Sequence, residues 1–219
     1  MTPENIAGMA MLKNLQVIAV TDHNSCKNCP AVLAACRKYG ITAIPGMELT
    51  TAEEVHCLCL FAELEAALEF DSCVSERLGE VLNRASIFGE QFVYNEKDQI
   101  VGEETRLLIQ ATSISFDEIG TLMKKYEGMM IPAHIDKSSF SLLSNLGFIS
   151  TDQSFRCAEI FHWEKRDLLL DSHPYLRQCR LISNSDAHRL EDIHEPMYSI
   201  DSDSLKPKDI LACFGQKNK

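Results

Sequence analysis

Leu15-Gln-Val-Ile-Ala-Val-Thr-Asp-His-Asn24 is the stretch on which the reading of this chain turns. An apolar run of strand length ends on Asp22 and His23, side chains that bind cations and move protons. The same grammar recurs downstream. Ile41–Ile44 reads as a short strand, followed by Pro45-Gly46 and then Met47–Thr50, which carries Glu48. Val55–Phe61 is apolar apart from His56, Gly128–Ala133 runs into His134, and Arg180–Asn184 runs into Ser185-Asp186-Ala187-His188. Cys157–Phe161 is a further strand. Helical patterns lie between these runs. Thr2 and Pro3 start the first, Ala31–Tyr39 stops at Gly40, and others cover Leu64–Phe70, Glu76–Phe88, Ser115–Tyr126, Phe140–Leu146, Asp167–Tyr175 and part of Ser204–Phe214. Alternating strands and helices predict an α/β fold with a parallel sheet. The strands lack polar alternation, as expected when both sheet faces are covered.

Length and charge bound the rest. The 219 residues predict a single domain over 1–219, with a more polar excursion at about 62–128. Asp and Glu number 32 against 21 Lys and Arg, a net charge of −11. That balance argues against a duplex nucleic acid partner, because coating phosphates needs clustered Lys and Arg. No apolar run reaches the length of a membrane span, and the N-terminus lacks the basic-then-apolar order of a secretory signal. Nine irregularly spaced cysteines then read as reduced thiols in a cytoplasmic protein. Cys26-x-x-Cys29 reads as two buried thiols, since it has no second pair.

The chemistry gathers at strand ends. In parallel α/β sheets these ends share one rim, so residues remote in sequence meet there. His23, Glu48, His56, His134, Asp186 and His188 are oxygen and nitrogen donors suited to Zn, Mn or Fe ions. One histidine at a strand end is ordinarily a hydrogen-bonded structural residue; five strand-associated sites of ligand chemistry in one chain are not explained that way. His162 is a weaker candidate, and His173 and His194 read as structural. No nucleophile elbow or phosphate-binding glycine loop is present in the sequence.

Taken in order, Val20-Thr-Asp-His-Asn24, Gly46-Met-Glu48, Val55-His56, Pro132-Ala-His134 and Ser185-Asp-Ala-His188 resemble the PHP (polymerase and histidinol phosphatase) superfamily. The resemblance implies a distorted seven-stranded β/α barrel of the TIM-like kind, with up to three divalent ions on its rim. It implies hydrolysis of phosphate esters by a metal-activated water, with Glu48, Asp186 and His134 at the catalytic centre. Glu48 would bridge two metals, His56 and His134 would complete the second site, Asp186 would bind the first metal, and His23 and His188 the third. Asp22 would orient a ligand. Lys137, three residues past His134, and Arg189, directly after His188, read either as clamps for a substrate phosphate or as solvated surface charges. A small phosphorylated substrate or nucleotide is expected, with no membrane partner.

One departure stands out. Family members open on a strand carrying His-x-His, whereas this sequence opens at Met1 on a helix N-cap, so the barrel is expected to lack its first strand. Either the native product carries that strand upstream of Met1, or the chain binds fewer metals and is a partly degenerate, non-catalytic metal-binding protein. An amidohydrolase-type reaction on the same rim is the other alternative.

Overall fold

The computed structural model describes residues 1–150 and 153–216. Helix α1 (Pro3–Leu12) leads into β1 (Val17–Val20), α2 (Cys29–Lys38), β2 (Thr42–Thr50), β3 (His56–Phe61) and α3 (Leu64–Arg77). A short helix α4 (Ala85–Phe88) and the hairpin β4 (Phe92–Tyr94) and β5 (Ile100–Glu103) follow. Then come α5 (Phe116–Lys125), β6 (Gly128–Pro132), α6 (Leu142–Asn145), β7 (Cys157–Glu159), α7 (Arg166–Ser172), β8 (Arg180–Ile182) and α8 (Pro207–Phe214).

The class is α/β as expected, but the sheet is mixed rather than parallel. Four strands pair in the order β1-β2-β3-β6, with β1 parallel to β2 and β3 antiparallel to both β2 and β6. Strands β7 and β8 form a parallel pair. The cause is a short connection: only five residues separate β2 from β3, too few for the crossover a parallel return requires. Pro45-Gly46 does not break β2. It is where β2 changes its main partner, from β1 over Thr42–Pro45 to β3 over Gly46–Thr50. A side chain at Gly46 would place a Cβ 2.6 Å from the Cys59 carbonyl, so only glycine allows this approach.

Both sheet faces are covered, which explains the unbroken apolar runs. Met47, Leu49, Cys57, Cys59 and Phe61 pack with Phe70 and Val74 of α3 and Ile119 and Met123 of α5. Ile44, Leu60 and Ile131 pack on the other side with Ile210 and Leu211 of α8. Within the excursion expected over 62–128, α3 and α5 therefore belong to the main core. The helix expected over Glu76–Phe88 is extended between α3 and α4, where Leu78 and Leu82 bridge to Thr112 and Arg106. Cys26 and Cys29 are buried thiols. Among the described residues, no helix is long and apolar enough to cross a membrane.

Candidate metal centre

Antiparallel pairing rescues the shared rim. Because β3 runs back along β2, Thr50 at the end of β2 faces His56 at the start of β3. Strand β6 is antiparallel to β3, so Pro132 at its end lies opposite Cys57. The first pair of strands is extended past Val20, and its register continues from Val17 with Thr42 to His23 with Glu48. His23, Glu48, His56 and His134 thus come from four chain segments to one place. Glu48 sits within β2 rather than after it.

Glu48 is the hub. Its carboxylate lies 3.3 Å from Nδ1 of His23, 3.2 Å from Nδ1 of His56 and 3.3 Å from Nε2 of His134. Glu48, His56 and His134 are all buried, at 4–6% exposure. The rings of His23 and His56 lie 5.2 Å apart, and those of His56 and His134 5.3 Å apart. Burial alone would raise the Glu48 carboxyl, but hydrogen bonds from His134 and His56 outweigh it and hold the group well below the carboxylate range. Burial pushes the His23 imidazole down, reinforced by His56 and His188, while the bond to Glu48 overcomes burial at His134 and raises it.

The polar accounting of this cluster does not close. Among the described residues, His56 Nε2 and His134 Nδ1 are buried without a hydrogen-bond partner, and His23 Nδ1, though 3.3 Å from the Glu48 carboxylate, lacks hydrogen-bond geometry to it. Each such atom costs about 1–3 kcal/mol when left unmet. Ligand atoms of His23, Glu48 and His56 lie within 4.8 Å of one another, close enough to share one ion. Imidazole nitrogens around a carboxylate are the donor set that Zn, Mn and Fe favour, so the residues fit a divalent ion.

Backbone geometry supports the arrangement. Asn24, His134 and Asp186, each just beyond a strand end, have φ of 49°, 31° and 48°. Non-glycine residues in that region are held there by their surroundings, commonly at functional sites. Asn24 is clamped fully: its N–H donates to the Glu48 carbonyl, its Oδ1 accepts from Thr50, and its Nδ2 donates to Leu108 and Gln110.

The other expected residues are placed differently. His188 is exposed at the margin, its ring 6.1 Å from His23. Asp22 accepts a hydrogen bond from Asn28 Nδ2 rather than from a histidine ring, and burial raises its carboxyl despite that bond. Lys137 forms an ion pair with Asp186. Arg189 is exposed, and its N–H donates to the Asp192 carboxylate. Two residues were missed in the sequence, the first being Glu159, which is buried at the end of β7 and accepts the His134 N–H at 3.1 Å. Its signal was a carboxylate closing an otherwise apolar strand. Phe140 also escaped notice; it stacks on the His56 ring at 4.9 Å.

A family model described as PHP domain matches residues 1–212. No curated protein matches the chain. A lesion-specific endonuclease from Pyrococcus furiosus superposes with a TM-score of 0.66 at 17% identity, over 98% of this chain and 51% of that one. Endonuclease Q, solved with a 27-mer duplex carrying an abasic lesion at its active site, gives 0.62 at 18% identity, over 94% and 49%. A Bifidobacterium adolescentis protein named as a metal-dependent phosphoesterase gives 0.61 at 15% identity, over 96% and 90%. The chain therefore spans about half the length of the two endonucleases. The complex with duplex DNA overturns the expectation, drawn from net charge, that duplex nucleic acid is an improbable partner for such a chain. Net charge sums the whole surface, whereas bound cations make a rim locally positive.

Proposed function

From its membership of the PHP domain family, to which this chain belongs, we propose that it hydrolyses phosphate esters with bound divalent metal. The observation that carries this reading is the Glu48 carboxylate facing three imidazole nitrogens at 3.2–3.3 Å, with buried ring nitrogens left over. Zn, Mn or Fe would be held by His23, Glu48, His56 and His134, with His188 at the margin. A bound divalent ion supplies positive charge for phosphoryl oxygens and makes water a nucleophile at neutral pH.

The chain's own residues do the rest. Glu48 has two oxygens and is the one side chain of the set able to bridge two ions. Glu159, through the His134 N–H, holds His134 in its left-handed turn and so aims its ring at Glu48. Asn24 ties the His23 segment to the end of β2. Phe140 covers the His56 ring and keeps water off that side. Strands β1, β2, β3, β6, β7 and β8 would be consecutive staves of the distorted barrel. Contact across the β6–β7 boundary supports this, since the Ile135 N–H donates to the Glu159 carbonyl.

The substrate class is a phosphomonoester, a nucleotide or a nucleic-acid phosphodiester. Metal-stripped protein reloaded with Mn or Zn is to be assayed on p-nitrophenyl phosphate, on bis-p-nitrophenyl phosphate and on an abasic duplex oligonucleotide. Metal-dependent turnover of any of the three, lost in Glu48→Gln, is expected. Turnover no faster than background with metal bound would instead establish a non-catalytic metal-binding protein.

A further inference from the structure

Lys137 stands three residues past His134, on the turn that leaves β6, and its position is built from several sides. Its N–H donates to the His134 carbonyl at 3.0 Å, and its carbonyl accepts from Ser141 Oγ at 2.7 Å. Its ammonium lies on the Asp186 carboxylate and 4.6 Å from the centre of the Phe161 ring. The Phe161 segment is itself latched to this turn, because Asp136 accepts the N–H groups of Phe161 and His162 at 2.7 and 2.9 Å. Asp186 is held from its side by a left-handed backbone, with its carbonyl 2.9 Å from Nδ1 of His188. The two side chains are only 28% and 19% exposed, so the pair is largely shielded from water.

We infer that the Lys137 ammonium is the resident cation at Asp186, standing where a divalent ion would otherwise bind, so that ions load only on the Glu48 side of the rim. The inference rests on the proposed reading of this rim as a metal centre. Two further observations favour it. Among the described residues, ligand atoms of His23, Glu48 and His56 cluster within 4.8 Å, and Asp186 belongs to no such group. An ammonium also makes the pair locally neutral. A divalent ion brought to the same carboxylate would meet a fixed positive charge a few ångströms away, a repulsion that partial burial leaves poorly screened.

The chemical consequence is an asymmetric rim. An ammonium offers three N–H donors and no vacant orbital, so it can neutralise a phosphoryl oxygen but cannot acidify water. Lys137 and Asp186 then serve charge and position, and activation of water is confined to the Glu48 side.

The experiment counts ions. Wild type, Asp186→Asn, Lys137→Met and Glu48→Gln are stripped, loaded with Mn or Zn, desalted and measured for metal per chain. Asp186→Asn is expected to keep the wild-type count, whereas Glu48→Gln loses metal. Lys137→Met, which frees the carboxylate, is expected to bind Mn at least several-fold more tightly. Loss of an ion in Asp186→Asn, as in Glu48→Gln, would overturn the inference. A second readout needs no metal. In stripped protein, the losses of Tm from Lys137→Met and Asp186→Asn should fail to add in the double variant, and fully additive losses would show that the pair does not form. Wild type that takes up no ion would sink the proposed function instead, while the Tm cycle would still decide whether Lys137 neutralises Asp186.

Discussion

Glu48 and Glu104 are equally buried carboxylates, at 6% and 7% exposure, and their surroundings could hardly differ more. Glu104, just past β5, accepts from Lys27 Nζ at 2.5 Å, from Arg106 Nε at 3.2 Å and from the Arg106 backbone at 3.1 Å. Arg106 spends its remaining donors on Ser75, and Gln91 closes the backbone of Glu104 on both sides. Permanent cations and matched donors leave this cluster complete. Glu48 faces three imidazoles, and three of their buried nitrogens lack hydrogen-bond partners. A buried carboxylate with full partners is architecture. One ringed by under-satisfied imidazoles is a site that a cation would complete.

The largest test of that contrast is metal itself. With free metal at about 100 times its Kd, binding adds roughly 2.7 kcal/mol, a rise in Tm of about 5–10 °C for a chain of this size. Glu48→Gln should weaken binding by more than about 100-fold and abolish the rise. A rise that survives in Glu48→Gln would remove Glu48 from the centre. Arg106→Ala should leave the rise intact, yet lower the stability of stripped and loaded protein alike by about 2 kcal/mol in chemical denaturation, because Lys27 alone remains on Glu104. Equal stability of that variant and wild type would mean the Glu104 cluster holds nothing together.

Acid sharpens the same comparison. Burial works against the ionised form of Glu104, but bonds from Lys27 and Arg106 prevail and hold its pKa at about 2. A folded-state value below the ordinary 4.5 means that its stabilisation is complete above about pH 4.5 and drains away as pH falls toward 2. In stripped protein, Glu104→Gln should flatten that part of the stability–pH curve; an unchanged slope would count against the pairing. The smallest effect is a control remote from both carboxylates. Ser115 caps α5, donating from both its N–H and its hydroxyl to Glu118. Ser115→Ala should cost about 1 kcal/mol in denaturation without touching metal uptake.

Much of this was legible in the order of residues. The apolar runs with ligand-type side chains at their ends located His23, His56 and His134, and the nearby Glu48, because a covered sheet demands apolar strands and leaves polar groups only at the rim. Strand direction was not legible: whether β3 returns antiparallel depends on a five-residue connection and on Gly46 admitting the Cys59 carbonyl. Nor was Glu159, whose role is a hydrogen bond to a backbone 25 residues away in sequence. Asp22 was expected, from the family resemblance, to orient a ligand; that its carboxylate accepts from Asn28 Nδ2 is a tertiary contact the residue order did not show.

By itself, then, the amino-acid sequence determined the α/β class, the family and the inventory of donors, since these follow from local periodicity and residue chemistry. Tertiary structure alone decided which donors meet. It brought four remote segments to one carboxylate, turned β3 so that His56 shares the rim, and set Lys137 on Asp186. Contacts of that kind depend on distances of a few ångströms between segments far apart in the chain, and residue order does not encode such distances until the chain is packed.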